Sequence, residues 1–284
     1  MKKTGFSQNH VKKNLGHDFD SDANTSLHPS NTLIDHRINK HSDVFLTPTD
    51  VDSYISGSSV VADSEEFNIE INFDGLGWTT ELSSVFIRCA DYLSSIVTND
   101  ISSIAGVSDL TISASLNNID GVGGTIGSSQ IVDQWSDSLL PSSTIIALDI
   151  VDAQTYLNSD QLDSVVLHEM IHSLGFGALW ESLGLISVDT AGDVIYTGAA
   201  LDELNSSPEI ELDGALGTAY VHWDEEIYAN ELMTGYIDTE NTITNMTLMA
   251  LADLGYVIDS SSSIADAGLV GVVDGYSSVE IAVA

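Results

Sequence analysis

Past the first sixty or so residues, hydrophobic and polar positions along the chain set out a succession of strands and helices. Phe67, Ile69, Ile71 and Phe73 alternate with Asn68, Glu70 and Asn72, the period of two that buries one face of a strand. Between 79 and 97 the period lengthens, and Leu82, Phe86, Ala90, Leu93 and Val97 fall along one stripe, which predicts an amphipathic helix. Alternation returns at Leu110, Ile112, Ala114 and Leu116, and residues 144–150 read as a further, largely buried strand. An uninterrupted helix is predicted over 160–174. Asp160 offers an N-cap carboxylate, Leu162, Val165, Val166, Ile171 and Leu174 supply apolar positions, and Gly175 and Gly177 mark the end. Beyond it the chain reads as loop-rich until a short helix at 245–254, stopped by Gly255. Mixed in this order, the elements predict an α+β fold.

The remaining segments lack such periodicity. Residues 1–63 are rich in Ser, Asn, Asp and His and are expected to form a poorly ordered leader or propeptide-like arm. Within it Asp18, Asp20 and Asp22 imitate the start of an EF-hand, but Ala23 and Pro29 stand where that loop needs Gly and Glu. Gly121-Val122-Gly123-Gly124-Thr125-Ile126-Gly127 is glycine-rich without the Lys-Ser/Thr of a phosphate loop. It reads as an edge strand or rim loop whose backbone another chain can approach. Residues 261–284 are expected as a separate tail, ending with Glu280 before an apolar tip.

Composition narrows the function. The 284 residues carry 43 acidic against 7 basic side chains, a formal net charge of −36. Such a field repels nucleic-acid phosphates and anionic headgroups, so no nucleic-acid partner is expected. The apolar fraction of 43% is ordinary for a folded chain. No apolar run approaches the ~18 residues of a membrane span. Cys89 is the only cysteine, expected as a packed thiol inside the first helix. The start of the chain has no apolar run of the Sec type. Export by another route is the expectation, because an acidic residue before an apolar end resembles type I secretion substrates. Charge and histidine are both uneven. From residue 42 onward Arg88 is the sole basic residue, and the only histidines are His168, His172 and His222.

Those histidines carry the chemistry. His168-Glu169-Met170-Ile171-His172 is an H-E-x-x-H motif, and on a helix a spacing of four brings both imidazoles to one face, where they can share a metal ion. Glu169 is then placed to take a proton from an activated water without acting as a ligand. This is the arrangement of a zinc hydrolase. A catalytic zinc takes a third protein ligand. Position 178 is Ala, so the compact H-E-x-x-H-x5-H form is absent. Glu203, Glu225 and Glu231 are candidates, and so is His222, the one histidine left in a domain that otherwise avoids the residue. Asp149, Asp152 and Asp224 are candidates to bind calcium or to orient a ligand histidine.

The segment His168-Glu169-Met170-Ile171-His172-Ser173-Leu174-Gly175-Phe176, with His222-Trp223 and Glu231-Leu232-Met233-Thr234-Gly235, resembles the leishmanolysin-like metallopeptidases. The likeness extends from about Phe67 to Ile258. It implies a metzincin-like fold over 64–260, with an N-terminal twisted mixed sheet and active-site helix over 64–175. A loop-rich C-terminal subdomain with a Met-turn would occupy 176–260. It implies zinc ligands His168, His172 and His222, general base Glu169, Met233 beneath the metal and a structural turn at Gly175. Tyr236 is the candidate oxyanion stabiliser. The implied protein is a secreted zinc endopeptidase acting on proteins or peptides, expected as a monomer, with calcium a further candidate cation. Two features depart from the family: it is disulfide-rich and this chain is not, and the tail after 258 has no counterpart. The second reading is an acidic, calcium-stabilised secreted or surface protein whose zinc site is not catalytic.

Overall fold

The computed structural model describes residues 52–57, 65–102, 108–202, 207–212, 217–259, 261, 263–275 and 280–281. The chain before residue 52, with Asp18, Asp20 and Asp22, and Glu203 lie outside the described residues. A five-stranded sheet is built from β1 (Ser53–Ile55), β2 (Ile69–Asp74), β3 (Leu110–Asn117), β4 (Gly127–Gln134) and β5 (Pro141–Asp149), in the order β1-β2-β3-β5-β4. The β2–β3 and β3–β5 pairs are parallel; the two outer pairs are antiparallel. This is the mixed sheet of an α+β protein.

Alternation places Ile69, Ile71 and Phe73 of β2, Leu110, Ile112 and Ala114 of β3, and Ile146 and Leu148 of β5 on one buried face. Over that face packs α1 (Thr80–Ile96), with Leu82, Val85, Phe86, Cys89, Leu93 and Ile96 buried. Each fully buried Leu, Ile or Phe contributes about 1.5–3 kcal/mol. Thr79 caps the helix, its Oγ1 accepting from the Leu82 N–H. The Cys89 Sγ–H points to the Asp163 carbonyl at 3.6 Å, and burial pushes the thiol's pKa up, as a packed and inert cysteine requires. The far face of the sheet is more open than its apolar sequence indicates: Ile145 of β5 is 41% exposed, so that strand is buried on one side only.

Four elements depart from the sequence reading. The strand β1 lies inside the stretch expected as an arm. Its three residues are too short to show a period, and it satisfies the outer edge of β2, where the Ser56 hydroxyl also accepts the Ile69 N–H at 2.8 Å. The glycine-rich segment is a loop up to Ile126, as one of its two readings has it, and the departure is the edge strand β4, which runs on from Gly127 to Gln134. A short helix, α2 (Ile150–Asn158), follows β5 without a break because the Asp149 carboxylate caps it, accepting from the Val151 and Asp152 N–H groups. The next helix, α3, spans Leu162–Ser173, and Asp160 is not its cap: Asp160 adopts φ 58 in the turn after α2, and Gln161 occupies the cap position without a side-chain bond.

The second half is made of short pieces: α4 (Trp180–Leu183), the β6 (Ile186–Val188) and β7 (Val194–Tyr196) hairpin, α5 (Ala199–Asp202) and α6 (Glu225–Tyr228). These are followed by β8 (Asn241–Thr244), α7 (Asn245–Leu254) and β9 (Ile258–Asp259). An aromatic cluster of Phe176, Trp180, Tyr196 and Trp223, with centroids 4.6–5.4 Å apart, fills the space beneath them. The stretch expected as a separate tail is packed into this body. Ile264, Leu269 and Val272 are buried, β10 (Val272–Gly275) runs parallel to β8, and β11 (Glu280–Ile281) pairs with β9. Among the described residues no helix is long and apolar enough to cross a membrane.

Candidate metal centre

Every residue of α3 is buried. It threads between α1, α2, β4 and β5, so its polar side chains must find partners inside the protein. Most do. The Asp163 carboxylate takes the Arg88 guanidinium at 2.8 Å and the Val270 N–H at 2.8 Å. The Ser164 hydroxyl donates to the Gly271 carbonyl, and Ser173 pairs with Ser129 of β4 at 2.9 Å. The other three polar side chains of α3 are His168, Glu169 and His172.

The two histidines stand one turn apart, with Nε2 atoms 2.9 Å from each other. His222 arrives from a loop fifty residues later, its Nε2 2.9 Å from that of His172 and 3.1 Å from that of His168. Its approach depends on the turn after α3. Gly175 at φ 100 and Gly177 at φ 73 reverse the chain, and a Cβ on Gly177 would lie 2.3 Å from the Val221 carbonyl oxygen. On its other side the His222 carbonyl accepts the Glu211 N–H, and the Trp223 N–H donates to the Met233 carbonyl at 3.0 Å.

The hydrogen bonds fix the tautomers. Each Nδ1 faces a backbone carbonyl: His168 to Leu232 at 2.7 Å, His172 to Phe176 at 3.1 Å and His222 to Thr218 at 2.8 Å. A carbonyl only accepts, so Nδ1 carries the proton and each Nε2 presents its lone pair. Three lone pairs then converge with no proton to share between them, an arrangement that repels itself unless a cation lies among them. Tetrahedral zinc with Zn–N bonds of about 2.0–2.1 Å sets ligand nitrogens about 3.3 Å apart, close to the spacing here. Burial pushes the His222 pKa down to about 4 and that of His168 well below its ordinary value, His222 adding to the second effect. Both shifts keep the rings neutral, the form that binds metal. The three residues fit a zinc ion.

Glu169 is fully buried, and neither carboxylate oxygen has a hydrogen-bond partner among the described residues. Burial alone drives its pKa well above the ordinary range. An ionised carboxylate so placed costs several kcal/mol, and a nearby cation acts in the opposite direction. The carboxylate lies against the first residue of β4, where a Cβ on Gly127 would stand 2.8 Å from Glu169 Oε1. The base candidate, the helix and the free edge of the sheet therefore meet at one place.

The other candidates are placed elsewhere. Asp149, Asp152 and Asp224 orient none of the three histidines, since main-chain carbonyls do so. Asp149 holds the Ile119, Asp120 and Gly121 N–H groups at 2.8–3.0 Å, Asp152 accepts from Gly123, and Asp224 caps α6. The Glu231 carboxylate is occupied by donors from Met233, Thr244 and Thr247, and neither it nor Glu225 falls in the group of side chains able to share one ion. Met233 is buried, one residue from the carbonyl that holds His168. Tyr236 is half-buried, and its main-chain carbonyl lies 3.4 Å from the Thr234 hydroxyl. The orienting carbonyls of Leu232, Phe176 and Thr218 carry no side-chain signature, so residue patterns could not reveal them. Gly127 was visible only as one glycine among several.

The leishmanolysin family model matches residues 195–265. That quarter of the chain contains His222, Met233 and Tyr236, while the H-E-x-x-H helix lies before it. No curated protein matches the chain. The matched segment thus contains His222, which the fold brings to the two histidines of the buried H-E-x-x-H helix, and the three together could hold a metal ion.

Proposed function

We propose that this protein is a zinc-dependent endopeptidase, with His168, His172 and His222 as ligands and Glu169 as general base. The observation that carries the reading is the pairing of three converging imidazole lone pairs with a buried, partnerless carboxylate one residue from the first ligand. Zinc bound by three histidines supplies Lewis-acid activation of water and of a scissile carbonyl. The protein's own groups supply the rest. Glu169 accepts the proton of the attacking water on its carboxylate and returns it to the leaving amine. The outer edge of β4 offers main-chain donors and acceptors to an extended peptide, whose backbone would add to the sheet beside Glu169. In this reading Met233 forms the floor of the site as a Met-turn and Tyr236 assists at the developing oxyanion. Secretion belongs to the same proposal.

Replacing Glu169 by Ala should reduce cleavage of an unstructured protein such as casein by at least about a hundredfold, the scale of lost general-base catalysis, with zinc content unchanged. Full cleavage by Glu169→Ala would remove Glu169 from its role. An unreactive wild type that nonetheless holds one zinc would favour a non-catalytic site.

A further inference from the structure

Behind the metal centre lies a second buried carboxylate that the chemistry above does not use. Glu231 is 3% exposed. Its Oε1 accepts from the Thr244 hydroxyl at 3.1 Å and from the Thr247 hydroxyl, and its Oε2 accepts the Met233 N–H. The Thr247 hydroxyl, having donated to Glu231, accepts from the Trp223 indole N–H at 3.0 Å. Two routes therefore run from Glu231 to two different ligands. One passes through Met233 to the adjoining Leu232 carbonyl, which holds His168 Nδ1 at 2.7 Å. The other passes through Thr247 to Trp223, the neighbour of His222, whose main-chain N–H is also tied to the Met233 carbonyl at 3.0 Å.

We infer that Glu231 is a positioning residue for the metal centre, setting the orientation of His168 and His222 together through Met233 and through the Thr247–Trp223 chain. The inference rests on the zinc reading given above. A carboxylate is needed because each of its oxygens faces a main-chain N–H that can only donate, Met233 on Oε2 and Thr244 at 3.4 Å on Oε1. An amide at this position has one accepting oxygen, and its NH2 would face either the Met233 N–H or the Thr244 N–H. A donor-to-donor contact would displace the turn that carries the Leu232 carbonyl. Outer hydrogen bonds that orient metal ligands typically change metal affinity by 10–100-fold. Glu231 and its donor Thr244 also border a cavity of about 420 Å³, lined further by Tyr228, Asn230, Thr242, Asn245 and Met246.

The test measures zinc affinity by chelator competition and the visible spectrum of the cobalt(II)-substituted protein, for wild type, Glu231→Gln, Thr247→Val and Thr247→Ser. The expected result is zinc binding about 10–100-fold weaker in Glu231→Gln, with a shifted cobalt spectrum. Thr247→Val should move in the same direction, and Thr247→Ser, which keeps the hydroxyl, should stay near wild type. Val85→Ala in α1 serves as a control: a general loss of stability leaves its cobalt spectrum unchanged. Wild-type affinity and spectrum in Glu231→Gln and Thr247→Val would overturn the inference while leaving the zinc reading intact. A wild type that takes up neither metal would overturn both.

Discussion

Asp149 ties the end of β5 to the loop before β4 and to the start of α2, and its replacement has two separable effects. One oxygen caps α2 through Val151 and Asp152; the other gathers the N–H groups of Ile119, Asp120 and Gly121. Losing an N-cap costs about 1 kcal/mol, within a range of about 0.5–2. Releasing the three loop N–H groups to water costs about 2 kcal/mol more, since hydrogen bonds to a charged acceptor carry about 1.5–3 kcal/mol and are not additive. Asp149→Ala should therefore lose about 3 kcal/mol, a Tm drop of about 6–12 °C for a domain of this size. Asn at 149 keeps one accepting oxygen, and its amide cannot accept, so Asp149→Asn should lose about half as much. Urea unfolding measures both variants, and limited proteolysis at 119–126 reports the freed loop. Burial pushes the Asp149 pKa up, but the N–H donors from Gly121, Val151, Ile119 and Asp152 outweigh it and bring it down to about 2. With the folded value below the unfolded one, the stabilisation is complete above about pH 4 and disappears as pH falls toward 2. The gap between wild type and Asp149→Asn should close over that window. Equal stability at pH 7, or a gap that widens in acid, would refute the reasoning.

Two further expectations follow from packing. Gly127→Ala puts a methyl 2.8 Å from Glu169 Oε1 and 3.0 Å from Leu148 Cδ2. Overpacking of this kind costs about 1–3 kcal/mol, while displacement of the base by about 1 Å should lower kcat/KM by about a hundredfold with zinc content unchanged; an unchanged kcat/KM would contradict the placement of Glu169 against β4. Deleting residues 263–284 strips the buried Ile264, Leu269 and Val272 and the Val270–Asp163 bond at the start of α3. The deleted protein should unfold at least 10 °C lower. Export is for that reason better tested by fusing 261–284 to a cytosolic reporter, and a reporter retained in the cell would count against the tail as a signal.

The parts of this protein that were legible in the sequence are those whose residues act through a period or a side chain. Alternation located β2 and β3, the 3.6-residue stripe located α1, and Gly255 closed α7. The strand β4 carries no period to read, because Ser128, Ser129, Gln130, Asp133 and Gln134 line an edge that needs no apolar alternation. Asp160 looked like a cap, but side-chain type does not encode the left-handed backbone that makes it a turn residue. The polar content of α3 gave no hint of complete burial, since Asp163, Ser164 and Ser173 are satisfied by partners far away in sequence. At the metal centre, scarcity of histidine singled out His222 and the structure brings it to His168 and His172. The main-chain carbonyls that orient all three belong to the tertiary fold, and no residue pattern records them.

If one zinc ion is held jointly by the H-E-x-x-H helix and the distant His222, the metal content of purified wild type and His222→Ala will differ. Measured by elemental analysis after dialysis against a moderate chelator, the wild type should hold one zinc per chain and His222→Ala little or none, with both proteins folded by circular dichroism. A full equivalent of zinc in His222→Ala would contradict the joint site and return the third ligand to a carboxylate.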